Sequence, residues 1–247
     1  LERATTEGVL KAAALAVSSA RGETVFAELV RSLAAILHVD VAFIARPSAA
    51  DPATMDVLAI QMDGAPVAID RYELAGSPCE GVLQHGFRVH PERICELFPN
   101  EPMLRAIGIE GYAGYPLNDL GGETLGLVAI SSRTPLTRLE RIESVMQIFA
   151  VRAAAEIERL RADETVRHSE ESYRTIFESI EDGVVIHDWH TGALVDVNAK
   201  ACETSGFRRE DVLGAPLSVF CSRHEPYTEA DAGAFFGSLA LRWGIRY

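Results

Sequence analysis

Four cysteines (Cys79, Cys95, Cys202, Cys221) and seven histidines are the side chains of this sequence with the widest chemical reach, as nucleophiles, redox centres or metal ligands. Their spacing supplies little of that chemistry. There is no CxxC, and the CxxH pair Cys221 and His224 has only Cys202 nearby in sequence, short of the three or four ligands a zinc site requires. No metal site is expected. Cys79 stands at the start of a predicted short helix, where the helix dipole would lower its thiol pKa. Free cysteine is, however, among the most buried residue types, and a small apolar core side chain is the preferred reading. What remains is a set of aromatic and apolar residues of the kind that line a small-molecule pocket, and they acquire meaning only from the elements that gather them.

The 247 residues allow one large domain or two ordinary ones. With 23 basic and 36 acidic residues the net charge is −13, which repels a phosphate backbone or an anionic lipid surface, so no nucleic-acid partner is expected. Acidic residues are spread along the whole chain. The few, scattered cysteines fit a reducing compartment and a cytoplasmic location. No apolar run approaches the roughly 20 residues of a membrane-spanning helix. Leu1 is not an initiator methionine and no signal-peptide pattern opens the chain, so the sequence reads as a piece of something longer.

Ala4 to Leu37 reads as two helices broken near Arg21-Gly22, the second with Val25, Phe26, Leu29, Val30, Leu33, Ile36 and Leu37 at helical spacing. Val39–Ala45, Met55–Met62 and Val67–Leu74 read as strands separated by Pro- and Gly-containing turns. Three short helical pieces, Cys79–Gln84, Arg93–Phe98 and Glu101–Ile107, then form a crossover. Tyr112–Leu117 and Thr124–Ser131 are a hairpin around Asp119-Leu120-Gly121-Gly122. Helices on one side of an antiparallel sheet and an irregular crossover on the other describe an α+β sandwich.

From Leu136 to about Ile180 there is neither Gly nor Pro, and Ile142, Val145, Met146, Phe149, Ala153, Ile157 and Leu160 step by three and four. The stripe fades into polar Arg161–Ser172, a solvated helix or a helical linker. Beyond it, Gly183–His187 and Leu194–Val197 read as strands, Ala199–Ser205 and Arg209–Leu213 as short helices, and Tyr227–Leu239 as one further helix.

The segment from about Thr24 to Leu160 resembles a GAF domain, through Tyr72-Glu73-Leu74-Ala75-Gly76-Ser77-Pro78-Cys79-Glu80, Glu96-Leu97-Phe98-Pro99, Glu110-Gly111-Tyr112-Ala113-Gly114-Tyr115-Pro116-Leu117 and Gly126-Leu127-Val128-Ala129. Tyr173 to Phe220 resembles the N-terminal half of a PAS sensory domain, through Tyr173-Arg174-Thr175-Ile176-Phe177-Glu178-Ser179, Asp188 with Thr191-Gly192, Asp196-Val197-Asn198-Ala199-Lys200-Ala201 and Gly206 to Gly214. The expected organisation is a GAF domain over 1–136 with its C-terminal helix to about 160, a connecting signalling helix over 137–172, and the N-terminal part of a PAS domain over 173–247. The overall class is α+β, a GAF-type antiparallel sheet flanked by helices followed by a partial PAS-type α+β domain. The second domain is expected to be incomplete, because the PAS fold closes with a long helix and three further strands.

The resemblance implies a non-catalytic, cytoplasmic input module of a bacterial signalling protein, placed before a histidine kinase, a diguanylate cyclase or a similar output. It places a small ligand between the sheet and the crossover helices, against Phe43, Tyr72, Cys79, Leu83, Val89, Phe98, Met103, Tyr112 and Tyr115, unless these simply fill the core. It leaves the cofactor unknown. There is no Asn-Lys-Phe-Asp-Glu cyclic-nucleotide signature, no Cys-His pair for bilin attachment, and no cysteine just after Gly214 for flavin photochemistry. His168 lacks the Arg-Thr-Pro continuation of a phospho-accepting histidine, and Gly121-Gly122-Glu123 reads as a hairpin turn lacking a cyclase's Asp-Glu-Phe. A homodimer through the linker helix would relay the signal. Two alternatives stand beside this reading: a cysteine-dependent redox enzyme using Cys79 and Cys95, and a pure dimerisation scaffold.

Overall fold

The computed structural model describes residues 2–19 and 24–220, and the chain divides into two compact units between Asp163 and Glu164. In the first unit, α1 (Glu2–Ser19) and α2 (Val25–Leu37) precede the sheet. Val25, Phe26, Leu29, Val30, Leu33 and Ala34 of α2 recur at three and four and are all buried, so one face of this helix covers a core. The helix stops at His38, which takes a left-handed conformation with φ of 54° and sends its backbone N–H back to the Ala34 carbonyl.

Seven strands among the described residues form one antiparallel sheet in the order β3-β2-β1-β7-β6-β5, with β4 also on β2. They are β1 (Val41–Pro47), β2 (Thr54–Met62), β3 (Ala65–Pro66), β4 (Arg71–Glu73), β5 (Arg88–His90), β6 (Gly111–Asn118) and β7 (Thr124–Ser132). The expected strand Val67–Leu74 is interrupted. Only Arg71–Glu73 of it is strand; β3 lies just before it, and β3 and β4 share a single register on β2, Gln61 opposite Pro66 and Asp56 opposite Arg71, while residues 67–70 form no strand. Strand β5 is an addition, three residues set against Tyr112–Gly114 of β6 and too short to show an alternation.

The crossover contains α3 (Pro78–His85), α4 (Ile94–Leu97) and α5 (Pro102–Ala106). The pleat sorts the sheet into two cores. Ala42, Ile44, Ala113, Val128 and Ile130 pack under the long helices, whereas Val41, Ala45, Tyr112, Leu127 and Ala129 pack under the crossover. In β2 the register slips beside Ile44 and Ala45, leaving Leu58 as an extra residue, and Leu58 and Ala59 therefore both turn to the helix side.

The long helix α6 (Leu139–Ser179) begins on that helix side. Ile142, Val145, Met146, Phe149, Ala153 and Ile157 are buried in the core of the first unit, with Leu160 packed against it. The stripe that the sequence pattern offers for pairing is thus occupied by this unit's own sheet. A second stripe, not foreseen, lies outward: Val151, Ala155, Ala162, Val166, Tyr173 and Ile176 are all exposed, Val151 at 68% and Ile176 at 64%.

In the second unit, β8 (Val185–His187) and β9 (Leu194–Val197) form a hairpin followed by α7 (Ala199–Ser205), α8 (Arg209–Val212) and a 3₁₀ turn at Leu217–Phe220. Leu194, Val197, Ala201 and Val212 make its small core. Asn198 is fully buried and caps α7 by accepting the Ala201 N–H. The segment Tyr227–Leu239 and the pair Cys221 and His224 lie outside the described residues.

Candidate functional site

Beneath the crossover the sheet and the short helices enclose a cavity of about 100 Å³. Its floor is the crossover face of the strands, with Val41 and Phe43 from β1, Val57, Ile60 and Met62 from β2, and Tyr112 from β6. Tyr72 from β4 and Ile69 from the interrupted edge form one wall. Pro78 and Cys79 at the start of α3, and Glu101, Met103, Leu104 and Ile107 on and around α5, close the cavity. Pro78 at the first helical turn suits a position where no intrahelical N–H bond is lost.

Three polar groups meet at the α3 end. The Tyr112 hydroxyl donates to Cys79 Sγ at 3.3 Å inside the protein. This geometry depends on Gly114 two residues along β6, because a Cβ there would stand 2.6 Å from Tyr112 Oη and 2.5 Å from Val82 Cγ2. The Tyr72 hydroxyl is buried with no hydrogen-bond partner. Cys79 lies near enough to bias it electrostatically without meeting hydrogen-bond geometry. Burial, and then that neighbouring thiol, push the Tyr72 hydroxyl far above the ordinary tyrosine range. Burial likewise raises the Cys79 thiol, against the opposing effect of its hydrogen bond from Tyr112, and it also holds Tyr112 itself protonated.

Arg133, just past β7, fastens the far end of the crossover. Its Nε donates to the Ile107 carbonyl at 2.9 Å, its Nη1 to Asp40 Oδ1 at 3.1 Å, and its Nη1 and Nη2 grip both Asp63 oxygens at 2.5 and 2.9 Å. The guanidinium holds the Asp63 carboxyl below its usual range. The end of α5, the start of β1 and the β2–β3 turn are therefore tied through one side chain.

Of the residues expected around a ligand, Phe43, Tyr72, Cys79, Met103 and Tyr112 line the cavity. Leu83 and Phe98 belong to the same core but stand behind its wall, Phe98 with its ring edge-on to His90 at 5.4 Å. Tyr115 and Val89 are on the other face. Tyr115 lies three residues from Tyr112 on one strand, an odd spacing that reverses its direction, and it packs against Phe87 at 5.7 Å in the helix-side core. Val89 pairs with Ala113 and shares that face. Glu101, Ile69 and the β2 residues were not anticipated, although the period-two pattern of β2 was a usable signal for Ile60 and Met62. Cys95 donates its thiol to the Ile109 carbonyl at 3.1 Å and does not line the cavity. Among the described residues no three His, Cys, Asp or Glu side chains gather as a metal site.

A family model described as GAF domain matches residues 21–157, and one described as PAS domain matches residues 171–240. A curated relative, the methyl sulfide methyltransferase-associated sensor of Methanosarcina acetivorans, is 31% identical over 112 residues, covering 45% of this chain and 11% of that protein. The chain thus matches only a small part of that relative's length. Among solved structures, the chromophore-binding domain of an unusual bacteriophytochrome from R. palustris superposes with a TM-score of 0.50 at 14% identity, over 64% of this chain and 62% of that one. The photosensory core module of Stigmatella aurantiaca phytochrome gives 0.50 at 14% identity, over 69% and 40%. At these identities the likeness is one of fold. Among the described residues no helix is long and apolar enough to cross a membrane.

Proposed function

Because this chain belongs to the GAF domain family and carries a PAS domain behind its GAF domain, we propose that it is the sensory input portion of a signal-transduction protein, binding a small ligand beneath the crossover and relaying occupancy through α6. The observation that carries this reading is the cavity itself, apolar over most of its wall and holding a buried Tyr72 hydroxyl without a partner. An unpaired buried polar atom costs about 1–3 kcal/mol, a cost that a bound molecule with a matching polar atom removes. The output is a histidine kinase or diguanylate cyclase lying downstream, and the location is the cytoplasm. The working division is a GAF domain over 1–136 extended by the first part of α6, a connecting segment over 137–172, and a PAS domain from Tyr173.

The relay runs through a homodimer. On a helix with 3.6 residues per turn, Val151, Ala155, Ala162, Val166, Tyr173 and Ile176 fall within an arc of about 80°, opposite the buried stripe. Small and apolar side chains on one continuous arc suit a paired helix. The cysteine-dependent redox reading is weakened, since burial raises the Cys79 thiol and disfavours the thiolate such chemistry needs.

Thermal-shift screening of the whole chain against small metabolites tests the pocket. Any stabilising compound should lose its effect in Ile60→Phe, which fills the cavity, and retention of the effect would place the ligand elsewhere. Sedimentation of Val151→Glu and Val166→Glu tests the dimer, which both should dissociate.

A further inference from the structure

The charge inside the cavity selects among ligands, and this inference rests on the pocket reading above. No lysine, arginine or histidine lines the cavity, and the one carboxylic side chain that does so is Glu101. Its carboxylate has no hydrogen-bond or ion-pair partner among the described residues. Its field nevertheless reaches the interior, contributing to the raised values of both the Tyr72 hydroxyl and the Cys79 thiol. Part of the lining is aromatic. Phe43 and Tyr72 stand edge to face with ring centroids 6.0 Å apart and planes at 88°, forming a corner, and the Tyr112 ring lies in the same lining. Aromatic faces attract positive charge, and more strongly where water is excluded. The unpaired Tyr72 oxygen offers lone pairs to an N–H donor. An anion placed here would meet a carboxylate and no compensating cation.

We propose that this cavity binds a small alkylammonium ion, with its N–H groups directed to Tyr72 Oη and Glu101 and its alkyl body against Phe43 and the apolar floor. The volume of about 100 Å³ limits the ligand to a few heavy atoms, since an apolar cavity of about 150 Å³ holds a benzene ring.

Three probes sharing one tert-butyl group separate the contributions: tert-butylammonium and tert-butyl alcohol, which match in size, and the somewhat larger pivalate, titrated calorimetrically into the whole chain at matched ionic strength. The expected order is tert-butylammonium at least tenfold tighter than tert-butyl alcohol, with pivalate weakest. Glu101→Gln should bring the ammonium probe down to the level of the alcohol, and Tyr72→Phe should weaken it in part. Equal or tighter binding of the alcohol or of pivalate, or unchanged ammonium affinity in Glu101→Gln, would overturn the assignment of charge. If the alcohol binds equally well and that binding is lost in Ile60→Phe, the pocket survives and only its charge preference fails. Binding of none of the three overturns the pocket as well.

Discussion

Replacing Asn198 by alanine should unfold the second unit while sparing the first. The side chain is fully buried and satisfies backbone groups on three sides. Its Oδ1 accepts the Val184 and Ala201 N–H groups at 2.9 and 2.8 Å, and its Nδ2 donates to the Phe177 and Asp182 carbonyls at 3.2 and 3.0 Å. Alanine removes the partner of two donors and at least two acceptors around a side chain that is itself fully buried. Each lost partner costs about 1 kcal/mol when the orphan is partly rehydrated and up to about 3 when it is not, so a total of about 3–5 kcal/mol is a restrained sum. That equals the entire stability of many small domains. The chain has two tryptophans, Trp189 and Trp243, both beyond Asp163, so tryptophan emission during a urea titration follows the second unit alone. With a slope of about 1 kcal/mol/M for a unit of this size, the midpoint should fall by about 3 M or vanish. The far-ultraviolet transition of the first unit should stay in place. Asn198→Asp keeps the acceptor and loses both donors, setting a carboxylate against the Phe177 and Asp182 carbonyls. This raises the carboxyl's folded pKa above its unfolded value, so the lost stability should return as the pH falls and the protonated acid donates. A midpoint shift below about 1 M for Asn198→Ala, which at this slope is about 1 kcal/mol, would refute the accounting.

Other expectations are as direct. Gly114→Ala forces Tyr112 off Cys79 and should cost about 2–4 kcal/mol from overpacking and the lost hydrogen bond. Gly81→Ala within α3, where the new Cβ would meet Arg88 Cγ at 4.0 Å, should instead gain about 0.5–1 kcal/mol, and calorimetric melting distinguishes the two signs. Cys79 should react with a thiol reagent at pH 8 only as fast as the protein unfolds, because burial raises its pKa and shields the sulfur, and rapid labelling would contradict both. Asp188 accepts the Thr191 N–H at 2.7 Å, the Thr191 hydroxyl at 2.9 Å and the His190 N–H at 3.0 Å, which lower its carboxyl pKa. A lowered folded pKa means stability that is complete above the ordinary aspartate range and is lost as the pH falls through the folded value. Tryptophan-monitored melting should show that loss, and Asp188→Asn should remove the pH dependence.

Periodicity revealed most of the architecture, and its failures have physical causes. Helix α2 and the β6–β7 hairpin were legible because one face of each is apolar at its own period and Gly-containing turns end them. The cavity was legible only by region. Tyr112 and Tyr115 look equivalent as aromatic residues of one motif, yet the pleat sends them to opposite cores. The bulge at Leu58 could not be read from β2 itself, because its register depends on β1. Glu101 reads as the start of a short helix, and its place in the cavity follows from the crossover's path over the sheet. On α6 the stronger apolar stripe is the one its own domain buries, and the outward stripe was hidden by its alanines and polar neighbours.

The strands of the first unit have a mechanical consequence. Along β6, Tyr112 hangs toward the cavity while Ala113 hangs toward the helices, both from the same peptide units. Nothing but the thickness of one backbone separates the two cores, so the sheet acts as a diaphragm rather than a wall. The central strands are paired on both sides, whereas at residues 67–70 the edge is joined to β2 by the Val67–Ile60 and Val57–Asp70 backbone hydrogen bonds. A ligand bound beneath the crossover, as proposed above, would therefore press on residues whose immediate strand neighbours face the helices.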